Sequence, residues 1–371
     1  MKISVAGDFS PKHRVPPLLE AQDYERIFGD IKQVFANTDF NIVNFETTIP
    51  EAEARPIEKI GPNLSSHLNA VSALKWAGIN VVTLANNHAC DFGPQSLLHT
   101  IEQLDRAEIA HVGAGRNLDE ANNILYINKH SETLAIINCC EHEFGIASAT
   151  EAGTNPLDPI RQYNSIIKAR ENADYVLAIV HGGAEGFQLP TPRMQDTYRF
   201  FVDAGADAVI NHHQHCFSGI EVYKGQPIYY GLGNFIFDYP TRTKQWTEGI
   251  IATLDFTKNG VNHTYIPYIQ FDEIPGVKLP ERTEDFDNRI KYLSSIIADR
   301  SKLEALVADY FAQWKPIVKA RLQPYSNRVL NGLYHRGLLP SLLTSGHIRM
   351  LQNMVNCETH RERLQYFLDN N

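Results

Sequence analysis

Val81-Val82-Thr83-Leu84-Ala85-Asn86-Asn87-His88 decides the fold: five apolar or β-branched residues run without a break and then stop at three polar side chains able to bind metal. The same pattern recurs on both sides of it. Ile3-Ser4-Val5-Ala6-Gly7 ends at Asp8, Ile42-Val43-Asn44-Phe45 at Glu46, and Val176-Leu177-Ala178-Ile179-Val180 at His181. Ala208-Val209-Ile210 leads into Asn211-His212-His213-Gln214-His215. Apolar runs this short read as strands buried on both faces. Helical spacing fills residues 24–35, 65–76, 95–104 and 192–204, the last with Pro192 at a first-turn position. The alternation predicts an α/β fold. In such sheets ligands collect beyond the carboxyl ends of the strands, so five runs deliver their polar residues to one edge.

The 371 residues are 43% hydrophobic and 21% charged, which excludes a disordered, collagen-like or coiled-coil chain. Thirty-four Lys and Arg against 43 Asp and Glu leave a net charge of −9, so nucleic acid is not expected as the main partner. The opening residues 1–8 reach a charged side chain too soon for a signal peptide, and no run approaches the roughly 20 apolar residues of a membrane span. The chain is therefore expected to be cytoplasmic. Five scattered cysteines without a CxxC pair fit reduced thiols.

Asp8, Glu46, Asn87, His181, His213 and His215 supply three oxygen donors and three imidazoles, a set suited to Mn, Fe or Zn and poor for Ca. Taken singly, Asp8, Glu46 and Asn87 also suit turns or caps, and His181 suits a hydrogen-bonded core position. The His213-x-His215 pair favours metal, because alternate residues of an extended segment point to the same side. A carboxylate can bridge two cations, and a water between them loses a proton near neutral pH and becomes a nucleophile. His88 follows Asn87 directly, so it is placed to protonate a leaving oxygen as general acid rather than to share the metal. Asp91, three residues on, is expected to hydrogen-bond that imidazole and raise its pKa.

Taken in order, several motifs resemble the CapA family of poly-γ-glutamate capsule-synthesis proteins, within the calcineurin-like metallophosphoesterase superfamily. They are Gly7-Asp8, Asn44-Phe45-Glu46, Leu84-Ala85-Asn86-Asn87-His88 with Asp91-Phe92-Gly93, Gly113-Ala114-Gly115-Arg116-Asn117, His181-Gly182-Gly183, His212-His213-Gln214-His215 and Gly231-Leu232-Gly233-Asn234-Phe235. The match covers roughly residues 1–255. The resemblance implies a four-layer α/β/β/α sandwich with two divalent transition-metal ions. Asp8 would hold the first, Glu46 would bridge, and Asn87, His181 and His213 would hold the second, with His215 returning to the first. Asn234 would line the site or serve a turn. Ser10 stands where the superfamily usually has a histidine, which leaves the first ion one protein ligand short. Asn211 and Gln214 replace a glycine and a proline of the last motif.

Residues 248–269 alternate around Lys258-Asn259-Gly260 and read as a hairpin at the edge of the second sheet. Pro275 and Pro280 mark a boundary, giving an enzymatic domain over 1–275 and a helical C-terminal region over 276–371, a cap or dimer contact. Helix ends are expected at Pro316, Gly332 and Gly337. The expected function is a metal-dependent hydrolase, foremost a phosphoesterase, acting on a small or polymeric anionic substrate, with homo-oligomers possible. The alternatives are a non-catalytic accessory of capsule or poly-γ-glutamate assembly and an amide hydrolase of a glutamyl polymer.

Overall fold

In the computed structural model, which describes residues 1–240, 243–325 and 327–369, the strand Lys2–Phe9 lies at the centre of the first of two main sheets. On one side it pairs in parallel with Phe40–Phe45, followed by Val81–Thr83 and Ala110–Val112. On the other side its partner changes along its length. Residues Lys2 to Val5 pair antiparallel with Glu248–Thr257, and Asp8 and Phe9 pair in parallel with Asn234–Ile236. The second sheet runs Ile220–Tyr223, Gln226–Tyr229, Ala208–His212, Tyr175–His181, Glu132–Cys140, Leu125–Lys129.

The two sheets face each other, with Tyr175 against Phe256 and Tyr229 against His263 across the gap. Helices cover the outer faces. Val15–Glu20, Tyr24–Phe28, Ile31–Phe35, Asn69–Ala77 and Gly93–Arg106 bury Leu19, Phe28, Phe35, Leu74 and Leu97 in one core with Val43 and Val82 of the first sheet and Leu84 just beyond it. Pro159–Asn172 and Pro192–Ala204 lie on the second. This is the four-layer α/β/β/α order that the resemblance implies.

Three local expectations change. The helical stretch 24–35 is two helices, broken at Gly29, whose φ of 49° and close approach to the Val277 carbonyl exclude a side chain. The hairpin Glu248–Thr257/Gly260–Gln270 belongs to the first sheet, not the second, because its first strand zips onto Lys2 to Val5, and Val277–Lys278 closes the edge beyond it. No helix ends at Pro316 or Gly332; each sits inside a helix, Arg300–Arg321 and Arg328–His335, and Gly337 follows the second with φ 72°.

The chain forms two compact units, Met1–Glu304 and Ala305–Asn371, and the helix Arg300–Arg321 spans the division. The first unit thus continues past Pro275 and includes the helix Glu284–Ala298, which packs on Ile220–Tyr223. The second unit contains the helices Arg328–His335, Ser345–Asn356 and Glu358–Asp369. Among the described residues no helix is long and apolar enough to cross a membrane.

Candidate metal centre

Each of the five polar strand ends reaches the same buried region. The donors form two triads that share Glu46: Asp8, Glu46 and His215 in one, Glu46, His181 and His213 in the other, with the ligand atoms of each triad within 4.8 Å of one another. His181 Nε2 lies 3.7 Å from Glu46 Oε1, and His215 Nε2 lies 3.8 Å from the same oxygen. Asn87 joins the second triad, its Oδ1 3.1 Å from His181 Nε2. His213 Nδ1 comes within 3.0 Å of that same nitrogen.

Backbone geometry makes this convergence possible. A Cβ on Gly7 would fall 1.7 Å from the Gly233 carbonyl oxygen, so only glycine lets the Asn234 segment lie against the end of the first strand. Asn234 is then in place to accept from His215 Nδ1 at 2.9 Å, which leaves Nε2 turned toward Glu46. His213 and His215 do not lie in an extended segment. Both occupy the left-handed region, at φ 89° and 55°, and the turn between them, rather than strand alternation, brings both rings inward. Such strain in side chains with a Cβ concentrates at functional sites.

Glu46 is fully buried, and neither of its carboxylate oxygens has a hydrogen-bond partner. A bare buried carboxylate is costly unless a cation compensates it. The residues present therefore fit the metal that the donor set calls for. Burial, and after it the Asp8 charge, pushes the Glu46 pKa well above the ordinary range. At Asp8 burial works the same way, but the His212 and His215 imidazoles, each with Nδ1 3.4 Å from its carboxylate, outweigh it and hold the group well below its usual value. Burial would lower His215, yet Glu46 and Asp8 raise it to about 10. His181 is pushed well down by burial and by His213, which favours the neutral, metal-binding form.

His88 lies beside this cluster with Nε2 4.0 Å from Glu46 Oε1 and Nδ1 2.6 Å from Asp91 Oδ2. Asp91 draws its pKa up as expected, but burial is the larger influence and the net direction is downward. Several groups at the site are absent from the sequence reading. Asn44 Nδ2 donates to Asp8 Oδ1 at 2.8 Å, and Glu143 accepts from Asn87 Nδ2 at 2.6 Å, fixing which amide atom faces His181. His212 Nδ1 stands 3.4 Å from Asp8 Oδ1. Lys59 reaches Asp91 from a loop. Asn44 and His212 sit inside motifs already singled out and carried a usable signal. Lys59 and Glu143 carried none.

A family model described as bacterial capsule synthesis protein PGA_cap matches residues 2–239, which contain the whole site. The chain belongs to that family. Among its relatives, "Capsule biosynthesis protein CapA" of Bacillus anthracis is 32% identical over 253 residues, covering 66% of this chain and 62% of that protein. "PGA biosynthesis protein CapA" of Bacillus subtilis strain 168 is 29% identical over 277 residues, covering 74% and 72%. The chain thus spans less than two thirds of the first relative's length. Among solved structures, a phosphatase from Mycoplasma pneumoniae aligns over 72% of this chain and 93% of its own at 14% identity, with a TM-score of 0.43.

Proposed function

We propose that this PGA_cap member is a metal-dependent phosphoesterase serving capsule or poly-γ-glutamate synthesis. The observation that carries the reading is the bare, fully buried Glu46 carboxylate shared by two donor triads. Asp8, Glu46 and His215 would hold one divalent ion, and Glu46, His181, His213 and Asn87 a second. When bound, such ions supply Lewis acidity to phosphoryl oxygens and lower the pKa of water. The chain does the rest. Asn234 and Glu143 fix the orientation of His215 and Asn87, and His88, held through Nδ1 by Asp91, turns Nε2 toward the cluster to give a proton to the leaving oxygen. Enclosure of the donors strengthens each of these interactions.

The test is metal analysis followed by assay of the Mn-loaded protein on phosphomonoesters and phosphodiesters, with His88→Ala and His213→Ala as controls. Turnover that both variants abolish supports the reading. Metal at full occupancy without phosphoester turnover, but with cleavage of a γ-glutamyl amide, would replace it with the amide hydrolase. A non-catalytic accessory role is the second reading. It is favoured by Ser10, whose hydroxyl is buried without a partner and adds no imidazole to the first triad. Less than half an equivalent of bound metal after mild purification would establish it over the first.

A further inference from the structure

Residues 51–62, in the loop between Phe40–Phe45 and Asn69–Ala77, are largely exposed, with Glu51, Glu53, Arg55, Glu58 and Ile60 all facing solvent. Lys59 goes the other way, its side chain 1% exposed. Its ammonium donates to Asp91 Oδ1, lies 3.4 Å from the Asn87 carbonyl oxygen and stands 3.2 Å from His88 Nδ1. The Phe144 ring closes the remaining side, 4.8 Å from Nζ. The same loop sends the Leu64 N–H to Asp91 Oδ2 at 2.6 Å. Turning one lysine inward from a solvated loop costs desolvation and side-chain entropy, and close partners on a reacting group's neighbour are what it gains.

The partners define a role. With Lys59 on Oδ1 and Leu64 on Oδ2, the Asp91 carboxylate cannot rotate, and Oδ2 stays 2.6 Å from His88 Nδ1. A carboxylate oxygen accepts only, so His88 Nδ1 is the nitrogen that donates, and an ammonium at 3.2 Å leaves that N–H one partner, Asp91. Nε2 is then the atom presented to the metal cluster. We propose that Lys59 is a positioning residue for proton delivery: it locks Asp91, and through Asp91 it holds the His88 Nδ1–H and the aim of Nε2, which takes up a proton from solvent to give the imidazolium and passes that proton to the leaving oxygen, returning the ring to its Nδ1–H form. This rests on the phosphoesterase reading, in which His88 protonates the leaving oxygen.

The test compares Lys59→Met, Lys59→Gln and His88→Asn in the full-length, metal-loaded protein, on two phosphodiesters that differ only in leaving-group acidity. Lys59→Met is expected to lower kcat about 10- to 100-fold on the ester with the basic leaving group, with KM and metal content unchanged, and far less on a nitrophenyl ester, which departs without a proton. Lys59→Gln, which keeps a donor to Asp91, should recover part of the loss. The double variant with His88→Asn should be no slower than His88→Asn alone. Equal losses on both esters, or losses that multiply in the double variant, would overturn the proposal, because a merely structural lysine gives that result. If Lys59→Met does not fold, Lys59→Gln alone decides through the same leaving-group comparison. Should the wild type cleave no phosphoester, the failure lies with the reaction assigned; long-range ¹H–¹⁵N spectra of His88 then decide on Lys59, a neutral Nδ1–H tautomer lost in Lys59→Met and at least partly kept in Lys59→Gln supporting it, and a tautomer unchanged in Lys59→Met refuting it.

Discussion

Glu46 is the residue on which both triads depend, and its two unpartnered oxygens set the first expectation. Glu46→Gln keeps the volume and removes the charge that a bridging ligand needs. It is expected to leave the fold intact by circular dichroism and to cut bound metal below one equivalent, measured by elemental analysis. Asn234→Ala removes only the acceptor behind His215. Loss of such an orienting partner weakens metal binding about 10- to 100-fold, which competition with a chromophoric chelator would read. Protons compete for the same donors. Burial alone would deprotonate His215, but Glu46 and Asp8 hold its proton up to about pH 10, and Glu46 is itself raised by burial and by Asp8. A cation must displace these protons, so affinity falls as pH falls, and binding at neutral pH releases about one proton or more. Calorimetry in two buffers of different ionisation enthalpy checks this; identical heats would contradict the assigned ligands.

At the scale of elements, the site exists because the end of Lys2–Phe9 touches the Gly233 turn. Gly7→Ala places a methyl 1.7 Å from the Gly233 carbonyl oxygen, an overlap that only backbone displacement relieves. We expect destabilisation of about 3 kcal/mol, read as a lower urea midpoint, with loss of metal binding in whatever remains folded; wild-type stability would show that the close approach is dispensable. The strand ends were legible for a physical reason. A strand buried on both faces has to be apolar throughout, so the first polar residue after it announces the edge of the sheet. Glu132–Cys140 escaped the same test, although it lies beside Tyr175–His181 and is followed by Glu141, because its apolar run breaks at Asn138, three residues before that carboxylate. The hairpin's strands were legible while its sheet was not, since pairing with Lys2 to Val5 depends on residues nearly 250 positions away. Lys59 and Glu143 were invisible for the same reason: a charged residue in a polar loop looks solvated until tertiary structure turns it inward.

For the whole molecule the question is why the helices beyond Glu304 persist. Among the described residues beyond Glu304, the buried apolar side chains are Val307 and Ala320 alone. Phe311, Trp314 and Val318, spaced i, i+3, i+7 on one helix, are 53%, 40% and 48% exposed, and Val329, Tyr366 and Phe367 are exposed as well. A unit this small has no core of its own to offset the entropy of ordering. Its apolar faces are the kind that mark association. It also carries eight Lys and Arg against four Asp and Glu, while the rest of the chain has 34 − 8 = 26 against 43 − 4 = 39. Self-association could therefore be apolar, helix against helix, or electrostatic, a basic unit against the acidic body of another copy. The exposed stripe argues for the first. Sedimentation of the full chain should show concentration-dependent association that persists when salt screens surface charge. A chain ending at Glu304 should sediment as a monomer and keep its metal, since every donor lies before that point. Association that salt abolishes would transfer the role to the charge contrast, and a full chain that is monomeric at every concentration would remove self-association as the reason these helices hold.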